Sequence, residues 1–290
     1  MQGDRRGTLY VVATPIGNMQ DITFRAVQVL KQVDRIAAED TRHSAPLLKY
    51  FSISKPIVSL HDFNERERLQ TLLDYLHQGE SVALISDAGT PLISDPGFHL
   101  VREALAAGFK VVPIPGPCAV IAALSVAGLP TDKFIFEGFL PAKREANHRR
   151  LVTLRHEPRT LVFYEAPHRV LASLQLMAEV FGSDRKAVVA RELTKLFETV
   201  RTANLAELAA WFETHAGEQR GEMVILVAGM DEEASERKEV VPLQVLTILL
   251  EELPVKQAAA LASKITGERK NKLYEAALAL QQAKAKARPL

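Results

Sequence analysis

The chain has 290 residues, 47% apolar and 24% charged, with a formal net charge of +1. That is a globular composition with room for one large domain or two medium ones. No run approaches the ~20 uninterrupted apolar residues of a membrane span, and Cys118, the single cysteine, excludes an intrachain disulfide or a cysteine-based zinc cluster.

The N-terminal MQGDRRGTLYVVATP lacks the separate apolar core and cleavage site of a secretory signal. A reducing cytoplasm is therefore the expected compartment, with no membrane partner. The near-neutral total hides a gradient. Pro254–Leu290 carries eight Lys or Arg against two Glu, so the preceding part is net acidic. A basic tail on such a body suggests a polyanionic partner.

In chain order, apolar runs predict strands at Leu9–Ala13, Arg35–Ala38, Ile57–Leu60, Val82–Ile85 and Val111–Ile114. Between the third and fourth, NERERLQTLLDYLH (64–77) predicts a helix with Leu69, Leu72, Leu73 and Leu76 on one face. Asn64 is its expected N-cap, Glu65 and Glu67 suit the first turn, and Gly79 stops it. Strands alternating with helices argue for a mostly parallel sheet covered on both sides.

PIPGP (113–117) marks an expected boundary, giving domains 1–116 and 117–230. The second domain continues with strands at Phe134–Phe136, Thr160–Tyr164, Ala187–Arg191 and Met223–Val227. An additional strand at Leu196–Arg201 would make its sheet mixed. DEEASERKE (231–239) reads as a charged linker within 231–240. A tail, 241–290, follows with helices at Pro242–Leu253, Val255–Thr266 and Asn271–Lys284, the last two spaced like a helix-turn-helix around Gly267.

Turn-rich loops follow three strands: ATPIGN after the first, SDAGTPLISDPG after the fourth, PGPCA after the fifth. Open parallel sheets bind ligands outside the carboxyl ends of their strands, so converging loops predict a small-molecule pocket. Gly89 allows close backbone approach. Asp87 would accept from an amine or ribose hydroxyl, and Thr90 would donate. The chain lacks GxxxxGK[ST], GxGxxG, GxSxG, HExxH and CxxC, so the familiar phosphate, nucleophile and metal motifs are absent. The residues alone define a two-domain α/β protein with a ligand cleft and a basic tail.

Nine strings go further: TPIGN (14–18), EDTRH (39–43), LHDFNE (60–65), SDAGTPLISDPG (86–97), PGPCAVIAALSVAGLP (115–130), GFLP (138–141), LVFYEAPHR (161–169), ARELTK (190–195) and GEM (221–223). In this order they resemble the tetrapyrrole methylase superfamily, from about Thr8 to Leu278. Within it they look like the ribosomal RNA small subunit methyltransferase I family. The resemblance implies S-adenosylmethionine bound in a cleft between two α/β domains. Thr14, Pro15 and Gly17 would floor that site. Asp87, Ala88, Gly89, Thr90, Pro117, Cys118 and Ala119 would contact the donor. Tyr164, Glu165 and Ala166, with Glu222 and Met223, would close it.

The reaction implied is 2′-O-methylation of a cytidine in the decoding region of small-subunit ribosomal RNA, by a homodimer. A base that takes the hydroxyl proton contributes about 10²–10⁴-fold. Candidates on the motifs are Asp40, His61, Glu165, Glu192 and Lys195, with Glu165, His61 and Lys195 leading; the sequence does not choose among them. A lysine base needs a lowered pKa. Expected RNA contacts are Lys143, Arg144, Arg149 and Arg150 near the cleft, and Lys264, Arg269, Lys270 and Lys272 in the tail. Phe63, Tyr164 and Tyr274 are candidates for stacking on a base. Two other readings stay open: a superfamily enzyme acting on a tetrapyrrole or a protein side chain, and a non-catalytic RNA-binding assembly factor.

Overall fold

The computed structural model of the chain describes residues 6–61, 64–230 and 242–286. The expected linker, 231–240, and the candidate Phe63 lie outside the described residues. The chain divides into two compact units, Met1–Gly229 and Met230–Leu290.

The first unit contains two sheets. Strands β1 (Thr8–Val12), β2 (Arg35–Ala38), β3 (Ile57–Ser59), β4 (Val82–Ile85) and β5 (Lys110–Ile114) pair in the order β3-β2-β4-β1-β5, all parallel. The connecting helices are α1 (Phe24–Gln32), α2 (Thr41–Tyr50), α3 (Glu65–His77) and α4 (Phe98–Ala106). They bury both faces: Leu30 of α1 and Leu48 of α2 pack with Val12 and Ile85, while Leu72 of α3 and Leu100 of α4 pack with Leu9 and Leu84. This two-sided cover explains why β4 reads as an uninterrupted VALI, every residue buried.

Adjacent strands β1 and β4 thus lead into helices on opposite faces. The carboxyl edge between them is the usual ligand position in such sheets.

The second sheet has the order β6-β7-β10-β8-β9, formed by β6 (Phe134–Phe139), β7 (Thr160–Glu165), β8 (Lys186–Arg191), β9 (Thr199–Asn204) and β10 (Met223–Val227). Only β6 and β7 are parallel, so the sheet is mixed, as the extra strand predicted. That strand begins at Thr199 instead of Leu196, because Leu196 and Phe197 are exposed in the preceding loop. Helices α6 (Arg144–Leu154), α7 (Val170–Phe181) and α8 (Leu205–Thr214) pack on one face around Phe163, Met177 and Phe212. The apolar helix α5 (Ala119–Ala127) covers the other face through Val120 and Leu124. Ile16, from the loop after β1, joins this core and ties the two sheets into one body.

Among the described residues the second unit holds three helices, α9 (Pro242–Glu252), α10 (Val255–Thr266) and α11 (Lys270–Lys286), around Leu246, Ala258, Ala262 and Leu273. Gly267 ends α10 in the left-handed conformation at φ 71°.

Candidate active site

The three turn-rich loops meet. Thr14 and Gly89 exchange two backbone hydrogen bonds, of 2.8 and 3.1 Å, joining the loops after β1 and β4. The Thr90 hydroxyl donates to the Pro117 carbonyl at 2.9 Å, joining those after β4 and β5. Gly89 has φ 79°, which a side chain rarely tolerates. Leu92 and Ser94 in the same loop are also left-handed, at φ 72° and 68°.

Around this junction lie two cavities. The first, of about 390 Å³, is lined from the first half by Ala88, Gly89, Thr90, Cys118 and Ala119. Tyr164, Ala166, Glu222 and Met223 line it from the second sheet. The second, of about 400 Å³, is lined by Thr14, Pro15, Gly17, Asp87 and Lys195, with Arg42 and His43 from α2. Three residues, Ile16, Ala88 and Glu222, line both. The carry-over residues are therefore shared between adjoining spaces. Pro117 lines neither; it acts through its carbonyl.

The charge of the two linings differs. Among the described residues the first holds Asp95, Glu165 and Glu222 and no Lys, Arg or His. The second brings Arg42, His43 and Lys195 to Asp87 and Glu222.

Each base candidate has a defined setting. Glu165 is 2% exposed; it accepts from the Ser173 hydroxyl at 2.5 Å and the Ala166 N–H at 2.8 Å, and pairs with Arg169 at 3.3 Å. Asp40 caps α2 and pairs with Arg42, whose guanidinium and backbone N–H hold its carboxyl down to about 2. His61 lines neither cavity; its backbone N–H donates to Asn64 Oδ1 at 2.8 Å. That bond occupies the side chain expected to cap α3, so Asn64 holds the N-cap position without bonding the helix.

Lys195 Nζ lies 2.8 Å from Glu192 Oε1 and 3.2 Å from Glu222 Oε2. Burial opposes its charge, but bonding to Glu192 and attraction by Glu222 outweigh that and raise its pKa. The lowered pKa that a lysine base requires is thus not found. Glu192 is itself lowered: burial opposes ionisation, and Lys195 with the Glu222 N–H overcomes it. Asp87 Oδ1 accepts from the Asp40 N–H at 3.0 Å, joining EDTRH to the glycine loop. Burial, then the Cys118 thiol and Asp95, push the Tyr164 phenol above its ordinary value. Its ring meets Phe136 and Phe139 at 4.9 and 5.5 Å, so it packs internally.

The basic candidates separate by pairing. Arg144 pairs with Glu179 at 3.3 Å and Arg150 with Glu137 at 2.6 Å, whereas Lys143 and Arg149 are exposed. In the tail Lys264, Arg269 and Lys270 are exposed, Tyr274 is 39% exposed, and Lys272 pairs with Glu268 at 2.9 Å. Arg42 and His43 were not among the sequence candidates. Their presence in EDTRH, at the start of a helix after β2, was the available signal.

A family model described as tetrapyrrole (corrin/porphyrin) methylases matches residues 8–209. One described as the RsmI C-terminal HTH domain matches residues 239–281. The Pseudomonas aeruginosa protein named ribosomal RNA small subunit methyltransferase I is 59% identical over 278 residues, covering 95% of this chain and 98% of the relative. Its namesake from Escherichia coli O157:H7 is 52% identical over 279 residues, covering 95% and 96%. Two solved structures share the fold at low identity. Diphthine synthase has a TM-score of 0.59 at 16% identity, over 77% of this chain and 90% of that one. Uroporphyrin-III-C-methyltransferase from Thermus thermophilus has a TM-score of 0.55 at 20% identity, over 77% and 94%. The chain belongs to the tetrapyrrole methylase family, among the relatives called ribosomal RNA small subunit methyltransferase I.

Proposed function

We propose that the chain transfers a methyl group from S-adenosylmethionine to the 2′-oxygen of a cytidine in the decoding region of small-subunit ribosomal RNA. The observation that carries this reading is the pair of adjoining cavities, in a chain whose curated relatives are named for ribosomal RNA methylation. S-adenosylmethionine is the methyl donor of this family and supplies an activated methyl on a sulfonium.

The first cavity fits that donor. Its volume falls in the range of about 300–1,000 Å³ usual for small-molecule sites. Asp95 and the largely exposed Glu222 bring carboxylates to a lining that holds no cation of its own, which suits a positively charged ligand; Glu165 is already paired with Arg169. Ala88, Gly89, Thr90, Cys118, Ala119, Tyr164, Ala166 and Met223 would hold it, and the mutual bonds of Thr14 with Gly89 would fix the floor. The protein's main task is alignment of the acceptor oxygen with the methyl carbon. Glu165, tied to Ser173 and Arg169, acts here by positioning the loop after β7.

RNA would be held by cations: Lys143 and Arg149 beside GFLP, and Lys264, Arg269, Lys270 and Lys272 on the tail. The start of α11 adds a helix N-terminus, where phosphate is favoured. Action on the assembled subunit, as a cytoplasmic homodimer, completes the proposal.

Calorimetry with S-adenosylmethionine tests the cavity. The wild type should bind, and Ala166→Trp, which fills the space, should weaken binding at least tenfold. Equal affinity in the variant would show that the donor sits elsewhere.

A further inference from the structure

Glu222 is the one titratable residue that lines both cavities; the other two shared residues, Ile16 and Ala88, are apolar. We propose that the second cavity seats the acceptor nucleotide and that Glu222, oriented by Lys195, takes the proton of the attacking hydroxyl. This rests on the methyl-transfer reading and goes beyond it by naming the acceptor's place and the base.

Three observations support the assignment. The cavities are complementary in charge: the carboxylate-lined one suits a sulfonium, while Arg42, His43 and Lys195 suit a phosphate beside a ribose. The rival carboxylates are engaged in ways that serve structure. Glu165 is buried against Ser173 and Arg169, Asp87 accepts from the Asp40 N–H, and Glu192 accepts from Lys195 and the Glu222 N–H. Glu222, by contrast, has a side chain 72% exposed and, among the described residues, the Lys195 ammonium as its ion-pair partner, so a substrate can reach it.

The loop chemistry holds this arrangement. Glu192 Oε1 accepts at 2.9 Å from the Glu222 N–H, and the Glu222 carbonyl accepts at 2.9 Å from the Glu192 N–H. The backbone of residue 222 is thus held by one bond to the Glu192 carboxylate and one from the Glu192 N–H, and its carboxylate by Lys195. Lys195 in turn lies against Gly17, where any Cβ would collide with its stem. The lysine is therefore a positioning residue.

In the transfer the hydroxyl oxygen gains the methyl carbon, the carbon–sulfur pair stays on sulfur, and the hydroxyl proton goes to Glu222. A hydroxyl, a carboxylate and a sulfonium give an ether, a carboxylic acid and a neutral thioether, so charge and atoms balance.

The test uses the full chain with small ribosomal subunits lacking the modification. Single-turnover methyl transfer, donor affinity by calorimetry and subunit affinity by filter binding are measured in parallel. Glu222→Gln keeps the size and an acceptor for Lys195. It should lower the single-turnover rate at saturating donor about 10²–10⁴-fold, the range for loss of a positioned base, with subunit affinity within about threefold and any loss of donor affinity far smaller than the loss of rate. Glu222→Ala with added formate should recover part of the rate, which a purely structural role would not allow. Arg42→Glu with His43→Glu should weaken subunit binding and spare donor binding. A Glu222→Gln rate within tenfold of wild type, or a loss matched by an equal loss of donor affinity, would overturn the base assignment while leaving methyl transfer standing. Unchanged subunit affinity in the Arg42/His43 variant would overturn the seating. A wild type that binds donor and never methylates RNA would instead sink the proposed function.

Discussion

At the scale of single residues, the site depends on close backbone approaches that only glycine permits. Gly221, at φ 79°, sits where a Cβ would collide with the Glu192 carboxyl. Gly221→Ala should therefore push Glu192 away from Lys195, weaken donor binding by about tenfold and, through its left-handed backbone, lower Tm by several degrees; calorimetry and thermal unfolding check the two halves. The Glu192–Lys195 pair also sets a pH window. Glu192 is depressed below 4.5, so its contribution is present above that value and fades as acid titrates the folded carboxyl. Lys195 is raised above 10.5, so its contribution is complete below that value and fades as alkali passes the folded pKa. Methyl transfer that depends on this pair should thus be level between the two limits. Residues lining the first cavity were legible through the motifs that carry the family resemblance. The Glu192–Lys195–Glu222 cluster was not, because it forms through left-handed turns at Glu192 and Thr194, φ 50° and 66°, that no periodicity announces.

At the scale of elements, strands were legible where a short apolar run is buried on both faces, as in β2, β4 and β10. The expected end of β6 fell short because a bulge between Phe136 and Gly138 continues the pairing to Phe139. Less legible was the way one helix caps another. The N-cap of α4 is Gly97, which offers no side chain. The buried Glu65 of α3 supplies the missing acceptor, taking the His99 and Leu100 N–H groups at 2.9 and 3.3 Å. A first-turn glutamate predicts help for its own helix; the fold spends it on donors 34 and 35 residues away in sequence. Glu65→Ala leaves those donors buried without a partner and should cost about 1–3 kcal/mol. Thermal unfolding should show it as a drop of several degrees, and a Tm within one degree of wild type would contradict the capping role.

At the scale of the molecule, charge is unevenly placed along the chain: the unit with the sheets is close to neutral, and the basic excess is concentrated in Pro254–Leu290. The gradient was legible from composition, and the tail helices from their periodicity. The union of both sheets in one body was not, since it depends on Ile16 crossing into the core of the second sheet. If the tail holds phosphates, Arg269→Glu with Lys270→Glu should weaken RNA binding and flatten its salt dependence, by roughly one unit of log–log slope per lost contact. An unchanged slope would remove the tail from the interface. The most direct test of the central claim is transfer of labelled methyl from S-adenosylmethionine to small subunits lacking the modification, followed by nuclease digestion and mass spectrometry of the labelled nucleoside. Label is expected on the ribose of a single cytidine in the decoding region. Label on a base, on protein or on many sites, or no label with donor bound, would contradict it.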